Sequence, residues 1–442
     1  MIMRKGIGAL VGSVVMALLI IGCATTGTTE KAKEKVRRTF SPDTAKIWYS
    51  VGKDYMKKGQ YDDAIRNFKR ALEYDSTFIQ AYLDIGKSYI EKAKKSIEEA
   101  KTLLESGQDS LAKMAKDLAW SYLDSAEVAY RMVAKIKPTD SRGWQGLGYL
   151  YGIVKDSVDK GIQFYKKAIE TDPTNYDAMF GLAKLYEHAG MNAEADSLYK
   201  SAIAGDPQNI ALKRAYGLFL YEGERYKEAV PYLEEAIKKY PDDKDVRNAL
   251  IDSYLKIAEE FKETNKDSFK FYSYKAIEHL DSLIVRDSLN AKLWTKRGNI
   301  HQDIGEIKKA LADFDKAIQC EPDNPSYYLQ KANLLLDEFK DTRRCRKVLQ
   351  ECLKLERSGP DVRATAYVLI GNSYYLDGVR LFKEKKYEES MNTFDLAISY
   401  YQKALAEQTT DAWRSFRSYA QKMLNNTKEK RQMAWRKYKG ID

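Results

Sequence analysis

The histidines of this chain are His188, His279 and His301, and the cysteines are Cys23, Cys320, Cys345 and Cys352. Metal binding would need these residues grouped at ligand spacings, and acid–base or nucleophilic work would need a base beside its partner. Neither pattern is present. No H-E-x-x-H, G-x-S-x-G or G-x-x-x-x-G-K-[ST] occurs. Gly143, Gly146, Gly148 and Gly152 look like a phosphate loop, but no strand signal precedes them and they fall within a helical pattern. The sequence therefore predicts no enzyme, no cofactor and no metal. Cys345 and Cys352 lie seven residues apart on one helical stretch, about 10.5 Å, too far for a disulfide. With Cys23 set aside, three thiols remain, an odd number, and all three read as small apolar side chains.

The elements that carry these residues are helices in a repeating unit. In 442 residues, 44% apolar and 31% charged, the dominant signal is self-similarity at 34 residues. Trp48, Val51, Gly52, Tyr55, Gly59, Tyr61, Ala64, Phe68, Ala71 and Leu72 set the pattern. It returns at Trp144, Leu147, Gly148, Tyr151, Tyr165, Ala168 and Pro173, and at Leu182, Ala183, Tyr186, Ala195, Tyr199, Ala202 and Pro207. Gly217, Tyr226, Ala229, Leu233, Ala236 and Pro241 form a further unit, as do Trp294, Gly298, Ala310, Phe314, Ala317 and Pro322. Apolar positions three and four apart put one stripe on each of two helices. Small residues at the eighth position let the paired helices approach, and proline ends the second helix.

This pattern resembles the tetratricopeptide repeat, W-x2-L-G-x2-Y followed by A-x3-F and a proline stop. The resemblance implies an all-α, right-handed α-solenoid of about nine helix–turn–helix units over residues 45–410. Residues 411–442 are expected to form a capping helix, with Trp413, Phe416, Ala420 and Met423 on its packing face, and a basic tail. Three units are longer than the period. About 28 extra residues fall between Tyr89 and Leu123, turning at Ser106–Gly107. About 13 lie between Tyr254 and Ser273, turning near Asn265, and about 14 between Tyr374 and Phe394, where Tyr387 leaves the register open. Each lengthens a unit's own two helices into a projecting hairpin.

In this family the first helices line a peptide groove, which here maps onto Lys46, Tyr49, Lys53, Lys87, Arg142, Tyr149, Lys184 and Arg214, then Asn248, Thr295, Asn299, Gln302, Asn333 and Asn372. Basic groups suit carboxylates, and asparagine amides suit an extended backbone. The ordinary alternative is that these are only solubilising and repeat-consensus residues.

Ile20-Ile21-Gly22-Cys23, after Arg4, Lys5 and an apolar run from Gly6, resembles the lipobox of bacterial lipoproteins. It implies a signal peptide over 1–22, acylation of Cys23 and a flexible tether over 23–44, with Ser41-Pro42 starting the first helix. Ala24 after the cysteine points to the outer membrane. No later apolar stretch approaches the ~20 residues of a membrane span. From Gln421 onward seven Lys/Arg stand against two acids, and Trp435 and Tyr438 lie among them, a mixture suited to anionic headgroups. No nucleic-acid partner is expected. The reading is a lipid-anchored periplasmic scaffold for protein–protein interaction in an envelope assembly, with a polysaccharide-export scaffold as the rival.

Overall fold

A computed structural model describes residues 40–441, all helix and connecting turn. The chain divides into two compact units, up to Asp206 and from Pro207. The Cys23 site and the chain before residue 40 lie outside the described residues.

The first unit is a stack of helix pairs. Helices α1 (Pro42–Lys57) and α2 (Tyr61–Tyr74) form the first pair, α3 (Ile79–Glu105) and α4 (Asp109–Ile136) the second. The third pairs α5 (Ser141–Tyr149), continued by a π-helical turn (Leu150–Val154), with α6 (Val158–Thr171). The fourth is α7 (Tyr176–His188) with α8 (Asn192–Gly205). The second unit continues with α9 (Ile210–Glu222) and α10 (Tyr226–Lys239), then α11 (Lys244–Phe261) and α12 (Lys266–Arg286). After them come α13 (Ala291–Asp303) with α14 (Ile307–Cys320), and α15 (Pro325–Asp337) with α16 (Thr342–Cys352). The last pair, α17 (Pro360–Lys383) and α18 (Tyr387–Ala406), is followed by α19 (Arg414–Tyr438). The described residues thus hold nine helix pairs, each unit being a run of α-solenoid.

Local chemistry sets these boundaries. Pro173, Pro241 and Pro322 follow the ends of α6, α10 and α14 and cannot continue a helix. Two residues on, Asn175, Asp243 and Asn324 cap the next helix, their side chains accepting from the first-turn N–H groups. Ser41 caps α1 in the same way, with Pro42 at its first position. Between paired helices the turn needs a left-handed residue, supplied at Gly59 (φ 70°) and Gly107 (φ 73°).

The packing unit is a large side chain, in most pairs a ring, laid on a bare backbone. The Phe68 ring fills the place a Gly52 side chain would take, and Tyr165 does the same at Gly148, Leu233 at Gly217 and Phe314 at Gly298. In these pairs the large residue follows its glycine by 16 or 17 positions. Tyr130 meets Gly86 44 positions on, which measures the first insertion as 28 residues beyond 16. Phe68 and Phe314 are fully buried, and each such side chain contributes about 1.5–3 kcal/mol.

Two of the three long hairpins turn where the residues indicated. Glu105 ends α3 and Asn265 caps α12, its Oδ1 accepting from Asp267 and Ser268 N–H. The α3–α4 helices run to 27 and 28 residues, against 14 in α2. Their seam is built of Ala93, Ala100, Ala112, Ala115 and Ala119, all buried. Leu104, Leu111, Met114 and Leu118 remain exposed on the flank. In the third hairpin Lys385 takes the left-handed turn (φ 62°) and Tyr387 starts α18. Tyr401 meets Gly371 at the long spacing and Phe394 meets Gly378 at the ordinary 16, so this hairpin carries the glycine–ring contact twice.

Helix α19 packs on α18 and α17. Trp413, Ala420 and Leu424 are buried there and Met423 packs against them, whereas Phe416 stays exposed. Cys345 and Cys352 are buried in an apolar cluster and Cys320 is half-buried, none in a disulfide. Burial pushes the Cys345 thiol up to about 12. No helix among the described residues is long and apolar enough to cross a membrane.

Candidate binding face on the first helices

In the first unit four of the groove positions converge. Asp84 on α3 is 1% exposed and collects groups from two helices. The Tyr49 hydroxyl on α1 donates to its Oδ2 at 2.7 Å, and Lys53 Nζ lies 3.2 Å from the same oxygen. Lys87 Nζ stands 4.0 Å from Oδ1, which is buried without a hydrogen-bond partner. Burial, and then the bond to Asp84, raise the Tyr49 hydroxyl well above its usual range. On α5, Arg142 donates to Gln80 Oε1 at 3.1 Å, and its Nε and Nη2 hold Asp140 at 2.9 and 2.7 Å. That guanidinium keeps the Asp140 carboxyl below the ordinary carboxylate range. A tyrosine, two lysines, an amide and an arginine thus line one face of α1, α3 and α5 around a buried carboxylate.

What this face offers chemically is hydrogen-bond donors and positive charge. Lys53 and Lys87 are 36% and 60% exposed at the side chain, so both can reach an incoming anion while Asp84 holds them in place. The remaining first-unit positions are less collective. Lys46 pairs with Asp43 at 3.2 Å, and Lys184 with Glu187 at 2.9 Å. Tyr149 receives the Lys94 ammonium 5.6 Å from its ring centre. Among the described residues no group of His, Cys, Asp and Glu is placed to hold a metal ion.

The second-unit positions differ in kind. Arg214 is held by Asp243 and lies 3.6 Å from Asp245. Asn248, Asn299, Gln302 and Asn333 are exposed, and Thr295 Oγ1 donates back to Ala291 O at 2.9 Å. Asn372 is already engaged: its Oδ1 accepts from the Tyr401 hydroxyl at 2.8 Å and from Tyr419 on α19 at 3.5 Å. It is therefore a support for the last helix, unlike Asn299 and Asn333.

Sequence reading did not pick out Asp84 or Gln80. The signal was there for Asp84. Two positions before the eighth-position small residue, the other units have Ser50, Gly146, Gly181, Ala215, Lys296, Gln330 and Leu369, so Asp84 stands out as a carboxylate.

Tetratricopeptide repeat models match residues 156–218, 214–258 and 291–324, and a TPR repeat model matches 52–92. Among relatives, the type IV pilus assembly protein PilF of Pseudomonas aeruginosa is 37% identical over 91 residues, 21% of this chain and 35% of that protein. The cytochrome c-type biogenesis protein CycH of the same species is 24% identical over 149 residues, 33% of this chain and 36% of its own. The BBSome complex member BBS4 of Bos taurus is 24% identical over 231 residues, 51% and 41% of the two chains. The chain spans between about a third and two fifths of the length of these relatives. Of solved structures, YrrB, described as having an unusual peptide-binding site, is 23% identical, covering 46% of this chain and 97% of its own with a TM-score of 0.37. PilW, a type IV pilus biogenesis factor, is 16% identical, covering 53% and 93% with the same TM-score.

Proposed function

We propose, from the premise that the chain belongs to the tetratricopeptide repeat family and is a protein-interaction scaffold, that it organises an assembly of the bacterial cell envelope from a lipid-anchored position in the outer membrane, facing the periplasm. The observation that carries the binding side of this reading is the Asp84 cluster. Lys53 and Lys87 approach the two oxygens of Asp84 from an accessible face, next to Tyr49 and Gln80. Such a face takes an extended peptide that presents an acidic group to the lysines and backbone amides to its neighbours. Asn299 and Asn333 offer amide contacts of the same kind in the second unit. The anchoring side rests on the Cys23 motif and on relatives named for pilus assembly and cytochrome c biogenesis.

One pull-down from solubilised membranes tests both sides. The Lys53→Gln/Lys87→Gln protein is expected to recover its protein partner about tenfold less well at physiological salt, since two exposed ion pairs are each worth up to about 1 kcal/mol. The loss should shrink as added salt screens the parent's contacts. Cys23→Ser is expected to leave the membrane fraction or to accumulate unprocessed. Equal partner recovery by the double variant, folded by circular dichroism, refutes the face as the binding site. Unchanged fractionation and mass of Cys23→Ser refutes the anchor, and recovery of a glycan in place of a protein would favour the export reading.

A further inference from the structure

Helix α19 packs through a seam that recurs every seven residues. Trp413, Ala420, Thr427 and Ala434 are buried along it, with Leu424 in the intervening row. Arg431, next in that row, reaches α18 with Nη2 3.0 Å from Asp395 Oδ2. The row of Leu424 and Arg431 continues to Tyr438, where α19 ends, but there the burial stops. Ala434 is fully buried, whereas Trp435, Tyr438 and Ile441 are 41%, 47% and 50% exposed. Among the described residues the apolar groups at this end of the helix are thus about half exposed.

We propose that this exposed end, Trp435 to Ile441, docks on an anionic phospholipid surface. Charge selects the partner: from Gln421 onward there are seven Lys/Arg against Glu429 and Asp442, and Arg436 and Lys439 are exposed within this end itself. The residue types select a lipid interface over an acidic protein. Trp and Tyr carry a ring that prefers hydrocarbon and a polar edge that stays with the headgroups. Their placement agrees, because Trp435 and Tyr438, three residues apart, lie about 60° from each other on one side of the helix end, so both rings can enter the interface together. The helix rises about 6 Å from Ala434 to Tyr438, within the ~5–10 Å to which interfacial helices bury their apolar groups. Each cation near an anionic surface adds to the attraction, and salt removes it within a Debye length.

The test uses the full chain carrying Cys23→Ser, so that no acyl group contributes, with vesicles of phosphatidylcholine alone or with about one third phosphatidylglycerol. Sedimentation is expected to show stronger binding to the anionic vesicles, weakened by salt. Trp435→Ala/Tyr438→Ala and, separately, Arg436→Gln/Lys439→Gln should each lower that binding about tenfold. All four positions lie beyond the last buried residue, and an unchanged melting curve confirms that the variants remain folded. Brominated lipid should quench part of the indole emission, and Trp435→Phe should abolish that part. Equal binding to the two vesicle types, parent-level binding by both double variants, or a tail that captures polyglutamate while vesicles fail to discriminate would each overturn the proposal.

Discussion

Gly161→Val is expected to lower the stability of the first unit by about 3 kcal/mol or more, at the upper end of what overpacking costs. A Cβ at Gly161 would lie 2.4 Å from Gly152 Cα and 2.8 Å from Gly152 N, so the obstruction is main chain and no rotamer can relieve it. Gly152 belongs to the π-helical turn, and Leu185 Cδ1 of the next pair already occupies the space beside both glycines. The substitution would have to part α5 from α6 at their closest approach. Gly359→Ala is the control, since its backbone is in an ordinary extended conformation with nothing within 4 Å. Denaturant titration should show the first midpoint fall sharply and the second stay in place. A shift of under about 1 kcal/mol for Gly161→Val would mean that the two backbones are not packed as described.

The second large effect is expected at Glu234, which anchors a buried polar network in the second unit. The Tyr254 hydroxyl donates to its Oε1 at 2.8 Å, and His279 Nε2 lies 3.3 Å from the same oxygen. Arg247 stacks behind, its Nη1 3.4 Å from His279 Nδ1 and its Nη2 donating to Pro241 O at 2.6 Å. Tyr254 and His279 are both buried, so Glu234→Ala strands a hydroxyl and an imidazole together, and the imidazole is the group that Arg247 packs against. The cost should be about 3–5 kcal/mol, the usual range for breaking a buried charge network from one side. Glu234→Gln keeps an acceptor for Tyr254 and should lose less. The pH dependence follows from the same contacts. The bond to His279, against the opposing effect of burial, holds the Glu234 carboxyl at about 2, below its ordinary 4.5. A depressed carboxyl stabilises the fold fully above the unfolded value, so this contribution is whole above about pH 4.5 and is lost as the pH falls toward 2. Allowing for its partial exposure, the amount is about 2–3 kcal/mol. The difference in stability between wild type and Glu234→Gln should therefore narrow over that window, and a constant difference would refute the assignment.

Much of this fold was legible because a repeat states its packing many times. The Gly52–Phe68 contact is written into the period, and so are the proline stop and the Asn or Asp cap that follows it. The first two hairpin turns were legible for a local reason, a Ser–Gly pair and a capping Asn interrupting a helical stripe. The third was ambiguous for a physical one: Gly378 and Phe394 reproduce the ordinary spacing inside the insertion, so two registers satisfy the same pattern. What sequence periodicity missed lies between repeats. Asp84 gathers Tyr49 and Lys53 from another helix, and Glu234, Arg247, Tyr254 and His279 come from three, so no single period contains either set. Asn372 likewise looks like a groove residue within its own unit. The hydroxyls of Tyr401 on its own partner helix and of Tyr419 on the returning α19 show what it holds.

The alanine seam of the α3–α4 hairpin has a kinetic consequence. A methyl group buries little area, so each turn toward the tip adds little free energy against opening, while the base is held by Ile90, Leu123 and Tyr130. The hairpin should therefore open from Gly107 inward by successive turns, without waiting for the unit to unfold. Backbone amides near Ala112 would exchange with solvent through this fraying, and those near Tyr130 only through loss of the whole stack. The flank that exposes Leu111 and Met114 is then the part of the unit whose shape can change at least cost, a graded element built on an otherwise all-or-none array.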